Sequence, residues 1–398
     1  MFRRPGVGLS ACAVLIGSIL AFDLTNAAAQ TAPAPDQPFD REAMEQALQT
    51  RQDYDLHGIH FDSDKAVIQP QSGPLLDDVA TVLESFPDWT LRIVGHTDAS
   101  GDAGHNQALS LQRAEAVRSA LVERGIDAGR LEAAGVGADR PVAANETAEG
   151  RELNRRVELM RVSDSPAARE LLKAMSDYLA AQDRLAFDFD ATLEVVTEAG
   201  QKLGLASSGT VSLERPDHVR ATRAGGFLDL EMLFDGTTLT LVGQNANAYA
   251  QVELPGSLDQ LVDTLRDRFG RPLPAADLLL SDPYDALMSE VYDVKDLGSG
   301  VVGGAECDWL AFRTDEVDWQ IWIAQGDRPL PCRYAITTKH MAHAPQYTIE
   351  FRDWRTGDAV APDRFDFAAA SGAQKVDPAA LREKVAELPA NFMTRSAQ

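Results

Sequence analysis

Asp98 and Arg113 are the side chains of this sequence whose types and spacing best suit joint chemistry. The acid follows an apolar run, Leu91 to Val94, that stops at Gly95, and the base lies within a segment of helical periodicity. A carboxylate on a strand-exit loop and a guanidinium on the next helix can face one crevice. A carboxylate accepts from an ammonium and a guanidinium forks onto a carboxylate, so the pair suits a zwitterionic ligand, and such charge-assisted bonds are strong ones. The alternative is that the same two groups close on each other as a salt bridge without a ligand.

Several elements must hold this pair. Gly58 to Phe61 reads as a strand, and Leu75, Val79, Val82, Leu83 and Phe86 recur at helical spacing until Pro87. Leu91 to Val94 is the next strand, Asn106 to Glu123 a helix stopped by Gly125, and Leu131 to Val136 and Arg156 to Val162 are further strands. This βαβαβ order predicts an α+β domain with helices on one face of a mixed sheet. Asn106 precedes Arg113 by two helical turns, which puts both on one face.

The run GHTDASGDAGHNQALSLQRAEAV, followed by AAGVGADRPVAANETAEGRELNRRVEL, resembles the OmpA-like C-terminal domain, a peptidoglycan-binding module of Gram-negative envelopes. The likeness covers roughly residues 55–162. It implies peptidoglycan as partner, held non-covalently through diaminopimelate, whose free end carries an ammonium and a carboxylate on one carbon. The family's binding acid and arginine have the spacing of Asp98 and Arg113. By the same likeness Thr97 and Asn106 orient the acid and its loop, Leu109 walls the pocket, and Phe61 and Asp62 form the family's FD step. Asn154, Arg155 and Arg156 match the NRRVE block, with ligand proximity and a structural role both open for Arg155. His105 stands where many relatives carry an aromatic residue.

The chain has 398 residues, 44% hydrophobic and 25% charged, enough for two or three globular domains. A net charge of −24 repels polyanions at long range, which argues against a nucleic-acid partner. Arg3, Arg4, the apolar run Val7 to Phe22 and the small residues before Gln30 read as a signal peptide over 1–29, cleaved after Ala29. Leu9 to Cys12 also matches a lipobox, which would lipidate Cys12, although the apolar run continues past it. Residues 30–40 form a Pro/Ala-rich spacer. Removal of Cys12 leaves Cys307 and Cys332, an even pair in an exported protein, read as a disulfide with two separate thiols as the alternative.

The expected domains are the OmpA-like unit over 41–163 and a β-rich unit over 166–398. In the second, a helical stripe from Ala168 to Leu179 precedes short strands: Phe187 to Val195, Phe227 to Phe234, Thr238 to Val242, Trp309 to Phe312, Trp319 to Ile323, Tyr334 to Thr338 and Tyr347 to Phe351. Helical insertions are expected at Leu258 to Phe269 and Tyr284 to Tyr292. CDWLAFR, VDWQIWIA, RPLPCRYAITTK and PQYTIEFRDW resemble an uncharacterised family of predicted periplasmic proteins, over roughly 167–370, grouped by fold with the LolA and LolB lipoprotein carriers. That likeness implies a mainly antiparallel half-open barrel closed by helices, with a lipid or lipoprotein acyl chain as candidate partner. Trp309, Trp319, Trp322, Tyr334 and Trp354 either line such a cavity or form ordinary core.

Gly298 to Gly303 fits GxGxxG but leads into a strand-like segment, so it reads as a hairpin turn and not a nucleotide site. His340 and His343 could ligate a metal from a helix, but they lie between strand patterns beside Pro345. No HExxH, GxSxG or P-loop occurs, and no cofactor, metal or catalysis is expected. The combined expectation is a periplasmic protein associated with the cell wall, with outer-membrane proteins as further candidate partners.

Overall fold

The computed structural model describes residues 39–50, 53–226, 229–267, 273, 275–360 and 365–385. The expected signal peptide, Cys12 and the spacer up to residue 38 lie outside the described residues, as do Phe227, Leu228, Arg268, Phe269 and 386–398. The chain divides between Ser163 and Asp164 into two units.

The first unit runs α1 (Arg41–Thr50), β1 (Asp53–Leu56), α2 (Gly73–Ser85), β2 (Thr90–Gly95), α3 (Ala103–Val122), β3 (Leu131–Gly135), α4 (Ala148–Asn154) and β4 (Val157–Val162). Its sheet has the order β1-β4-β2-β3; β2 and β3 are parallel, and β4 is antiparallel to both β1 and β2. Central β2 is buried from Leu91 to Gly95, with Leu91, Ile93 and Val94 apolar and Arg92 the one charged side chain among them. Leu76, Val79 and Leu83 of α2 and Ala114, Val117 and Leu121 of α3 complete the core.

Two glycines set how closely α3 lies on the sheet. A Cβ on Gly95 would sit 2.0 Å from the Ser110 carbonyl oxygen, and one on Gly135 would sit 2.3 Å from the Leu111 nitrogen. The backbones touch there, so the helix cannot slide along the strands. The strand expected at Gly58 to Phe61 is displaced: β1 ends at Leu56, Gly58 takes φ +95°, and Phe61 makes only an isolated bridge to Ile68. Gly58 can turn the chain there, and a short apolar run does not distinguish a strand from a loop that packs.

The second unit opens with α5 (Pro166–Ala180), capped by Ser165, whose side chain accepts from the Ala168 amide. Then come β5 (Arg184–Val196), β6 (Lys202–Glu214), β7 (His218–Gly225), β8 (Asp229–Asp235), β9 (Thr238–Gly243), β10 (Ala248–Glu253), α6 (Leu258–Asp267) and α7 (Pro283–Met288). After β11 (Asp293–Val302), β12 (Ala305–Arg313), β13 (Val317–Ala324), β14 (Pro331–Thr338) and β15 (Gln346–Thr356), the two-residue β16 (Gln374–Lys375) and α8 (Pro378–Lys384) close the described chain. All twelve strands form one open sheet in the order β11-β12-β13-β14-β15-β5-β6-β7-β8-β9-β10-β16, antiparallel except for β10 with β16. Among the described residues β11 and β16 are its unjoined edges.

One face of this sheet is packed by helices. Leu172, Met175 and Leu179 of α5, Leu261 and Leu265 of α6 and Leu287 of α7 share a core with Leu310, Trp319, Ile321, Tyr334 and Ile349. Trp319 stacks on Phe312 at 3.9 Å between ring centroids and meets Tyr334 edge-on. Trp322 points to the other face, where it lies against Trp309 and under the Arg333 guanidinium. Cys307 of β12 and Cys332 of β14 are joined in a disulfide that straddles β13. The helix expected from Tyr284 to Tyr292 is shorter, ending at Met288 before β11 begins. Gly303 and Gly304, both with positive φ, turn β11 into β12, so the glycine run there makes a hairpin.

Candidate functional site

The loop between β2 and α3 is tied down at each step. His96 donates its backbone N–H to the Arg156 carbonyl and Thr97 donates its own to Gly137. Asn106, buried in the first turn of α3, donates from Nδ2 to the carbonyls of Asp98 and Ser100, at 3.3 and 3.0 Å. The Ala99 amide donates to Asn145 Oδ1, which Asn154 Nδ2 also holds at 3.0 Å. Asp102 caps α3 by accepting from the His105 amide.

Within this frame the Asp98 carboxylate is fixed at both oxygens. Oδ1 accepts from the Ser100 amide at 2.8 Å, and Oδ2 accepts from Arg155 Nη1 at 2.6 Å. Burial works against its charge, but the bonds from Ser100 and Arg155 outweigh that and hold the carboxyl below its usual range. Arg155 also pairs with Glu152, one turn before it.

Arg113 is anchored differently. Its Nε donates to the Lys65 carbonyl at 3.1 Å, and its guanidinium lies 5.0 Å from the centroid of the Phe61 ring. The segment supplying both contacts is closed by its own bonds, Asp62 amide to Val67 carbonyl and Lys65 amide to Asp62 carbonyl. Among the described residues no carboxylate lies within ion-pairing distance of Arg113; Asp98 pairs instead with Arg155, the residue just past the end of α4. Burial, then the neighbouring Arg155 charge, push the Arg113 guanidinium below its ordinary range, against the pull of Asp64 and Asp98. A guanidinium remains charged under such a shift.

The structure therefore gathers Asp98, Arg113, Arg155, Asn106 and Phe61 around one loop pair. Thr97 is buried, with its Oγ1 unpartnered among the described residues, and Leu109 is buried one turn before Arg113. Asp62 Oδ1 accepts from Gln69 at 3.4 Å, and its other oxygen lies 3.9 Å from Lys65 Nζ, so it braces its own loop. Arg156 is nearly enclosed and bonds to Asp55 Oδ1 at 2.7 Å and to the Arg140 carbonyl.

Sequence reasoning missed the groups that act through the backbone, the Lys65 carbonyl and the Ser100 amide, since no side-chain type announces them. It also missed His96, whose buried Nε2 lies 3.1 Å from Glu158 Oε2. Burial pushes the His96 imidazole down, a hydrogen bond to Glu158 opposes this, and the Arg156 charge adds to the lowering. The signal was available: His96 and Glu158 are polar residues set at the ends of two apolar strand runs. His340 Nε2 donates to the Asp315 carbonyl at 2.7 Å, and among the described residues no group of three or more His, Cys, Asp or Glu could hold a metal.

Comparison with known proteins gives two family matches: "Predicted periplasmic protein (DUF2092)" over residues 168–378, more than half of the chain, and "OmpA family" over 60–155. Among curated relatives, the probable lipoprotein YiaD of Escherichia coli is 42% identical over 103 residues, covering 26% of this chain and 47% of that one. Outer membrane porin F of Pseudomonas aeruginosa is 45% identical over 101 residues, 25% of this chain and 29% of that one. The peptidoglycan-binding protein ArfA of Mycobacterium bovis is 41% identical over 102 residues, 26% and 31% of the two chains. The chain thus spans less than half the length of these relatives. Among solved structures, the peptidoglycan-associated lipoprotein of Burkholderia pseudomallei is 37% identical with a TM-score of 0.25, covering 26% of this chain and 87% of that one.

Proposed function

The chain belongs to the DUF2092 family of predicted periplasmic proteins and carries an OmpA family domain, and from that premise we propose that its first unit binds peptidoglycan non-covalently. The ligand group is the free end of diaminopimelate in the stem peptide. Arg113 forks onto its carboxylate, and Asp98 accepts from its ammonium. Arg155 holds Asp98 in place, Asn106 shapes the loop, and Thr97, Leu109, Phe61 and Asp62 build the surrounding wall. The observation that carries this reading is an Arg113 anchored at Nε and over Phe61, with no carboxylate partner among the described residues, beside an Asp98 already fixed in its charged form. The ArfA relative, named for peptidoglycan binding, supports it. The test is retention on purified sacculi. Asp98→Ala and Arg113→Ala are each expected to abolish it, and a pair of variants that still sediment with sacculi would refute the site.

The second unit is then the part held at the wall, as a separate domain beginning near residue 166. Its open antiparallel sheet with helices on one face supports a half-barrel of the LolA and LolB kind, holding a lipid or lipoprotein acyl chain. A scaffold reading, with outer-membrane proteins among its partners, is favoured by one observation: α5 and α7 fill the face of β12 to β15, and Trp319, Tyr334, Leu172 and Leu287 are wholly enclosed there. Neither reading assigns a catalytic step. Solvent extraction of the purified protein followed by mass spectrometry separates them. Co-purified lipid supports the carrier, whereas a clean extract with no response to a hydrophobic fluorescent probe supports the scaffold.

A further inference from the structure

Of the four carboxylates on the two loops flanking Arg113, Asp102 caps α3 and the other three are each engaged by a different side chain. Asp98 is paired with Arg155, Asp62 lies 3.9 Å from Lys65, and Asp64 Oδ1 lies 2.7 Å from His105 Nε2. Asp64 is the one placed to interfere. It precedes Lys65, whose carbonyl already receives Arg113 Nε, and its charge acts on the guanidinium directly. It is also mostly exposed, with 71% of its side chain open, and among the described residues His105 is its hydrogen-bond partner. His105 reaches it from the first turn of α3, across the mouth of the site.

We propose that His105 is a positioning residue for the ligand site: by holding Asp64 it prevents a carboxylate of the chain itself from closing on Arg113 in place of the ligand's carboxylate. A freed Asp64 would be a tethered competitor, present at high effective concentration beside the guanidinium. This rests on the proposed diaminopimelate site. The His105 to Asp64 pair is solvent-exposed, so its loss changes binding by about two- to fivefold and not by orders of magnitude.

The test uses the full chain and a tripeptide ending in meso-diaminopimelate, with affinity read by calorimetry for wild type, His105→Ala, Asp64→Asn, the double variant and Arg113→Ala. His105→Ala is expected to weaken binding about two- to fivefold, Asp64→Asn to leave it unchanged or tighter, and the double variant to return to the wild-type value. Recovery in the double variant is the sign of competition, because a clasp that merely ordered the loop would be lost in all three. The proposal is overturned if Asp64→Asn weakens binding as His105→Ala does, if the double variant stays weak, or if His105→Ala binds as wild type. Undiminished binding by Arg113→Ala would instead overturn the site reading on which the proposal rests.

Discussion

His96 lies two residues before Asp98, its ring enclosed and its Nδ1 without a partner among the described residues. A second ring proton would be buried beside Arg156 with no acceptor, which is why burial dominates and keeps the imidazole neutral. The unfolded chain takes that proton at the ordinary value of 6.5, before the folded chain does. Stability is therefore expected to fall as pH drops below 6.5, until the lower folded value is reached. Asp98 adds a loss of the same sign further down, below 3.8, as its charge-stabilised carboxylate is protonated. Urea midpoints between pH 7.5 and 5 should decline for the wild type and decline less for His96→Gln; equal slopes would count against this. At this scale the sequence was legible as to placement: Asp98 follows β2 and Arg113 lies on α3, as the apolar run and the helical period expect. It was illegible where a role depends on a partner: Arg155 fits ligand contact and structure equally until its bond to Asp98 is seen.

Helix α3 carries Asn106, Leu109 and Arg113, and two glycines in the strands beneath it fix its height on the sheet. Gly95→Ala puts a methyl group where the Ser110 carbonyl stands, so β2 and α3 must part. The expected cost is about 1–3 kcal/mol, typical of overpacking. A thermal melt should show a lowered midpoint for the first unit, together with weaker sacculus retention, since Arg113 moves with the helix. Elements with a long period were readable in advance: α2, α3 and α5 fall close to where their apolar spacing puts them. Short elements were not. β1 lies earlier than the strand expected at Gly58 to Phe61, and β6, β7 and β11 carry too many glycine, serine and charged residues to stand out. Their strand state comes from neighbours in the sheet and not from local preference.

Among the described residues each unit has its own main core, built by a different chain segment. We expect two separate unfolding transitions by calorimetry, the first shifted by Gly95→Ala and the second by loss of the bridge at Cys307 and Cys332. Replacing both cysteines with serine should destabilise the second unit by about 3 kcal/mol, with sacculus retention unchanged; a joint loss would mean that the units do not fold independently. The alternation of β5 and of β12 to β15 was legible, but the joining of twelve strands into one sheet was not, because pairing across the chain leaves no local pattern. That sheet has a mechanical consequence if the first unit moors the second, as proposed. A pull along the chain from the first unit arrives at Asp164, which bridges to Val294, then passes through α5 into β5. β5 is no edge to be peeled: it pairs with β6 from Arg184 to Val196 and with β15 on its other side. Under the proposed tethering, tension between the wall and this domain is delivered into an interior strand, where many backbone bonds share the load.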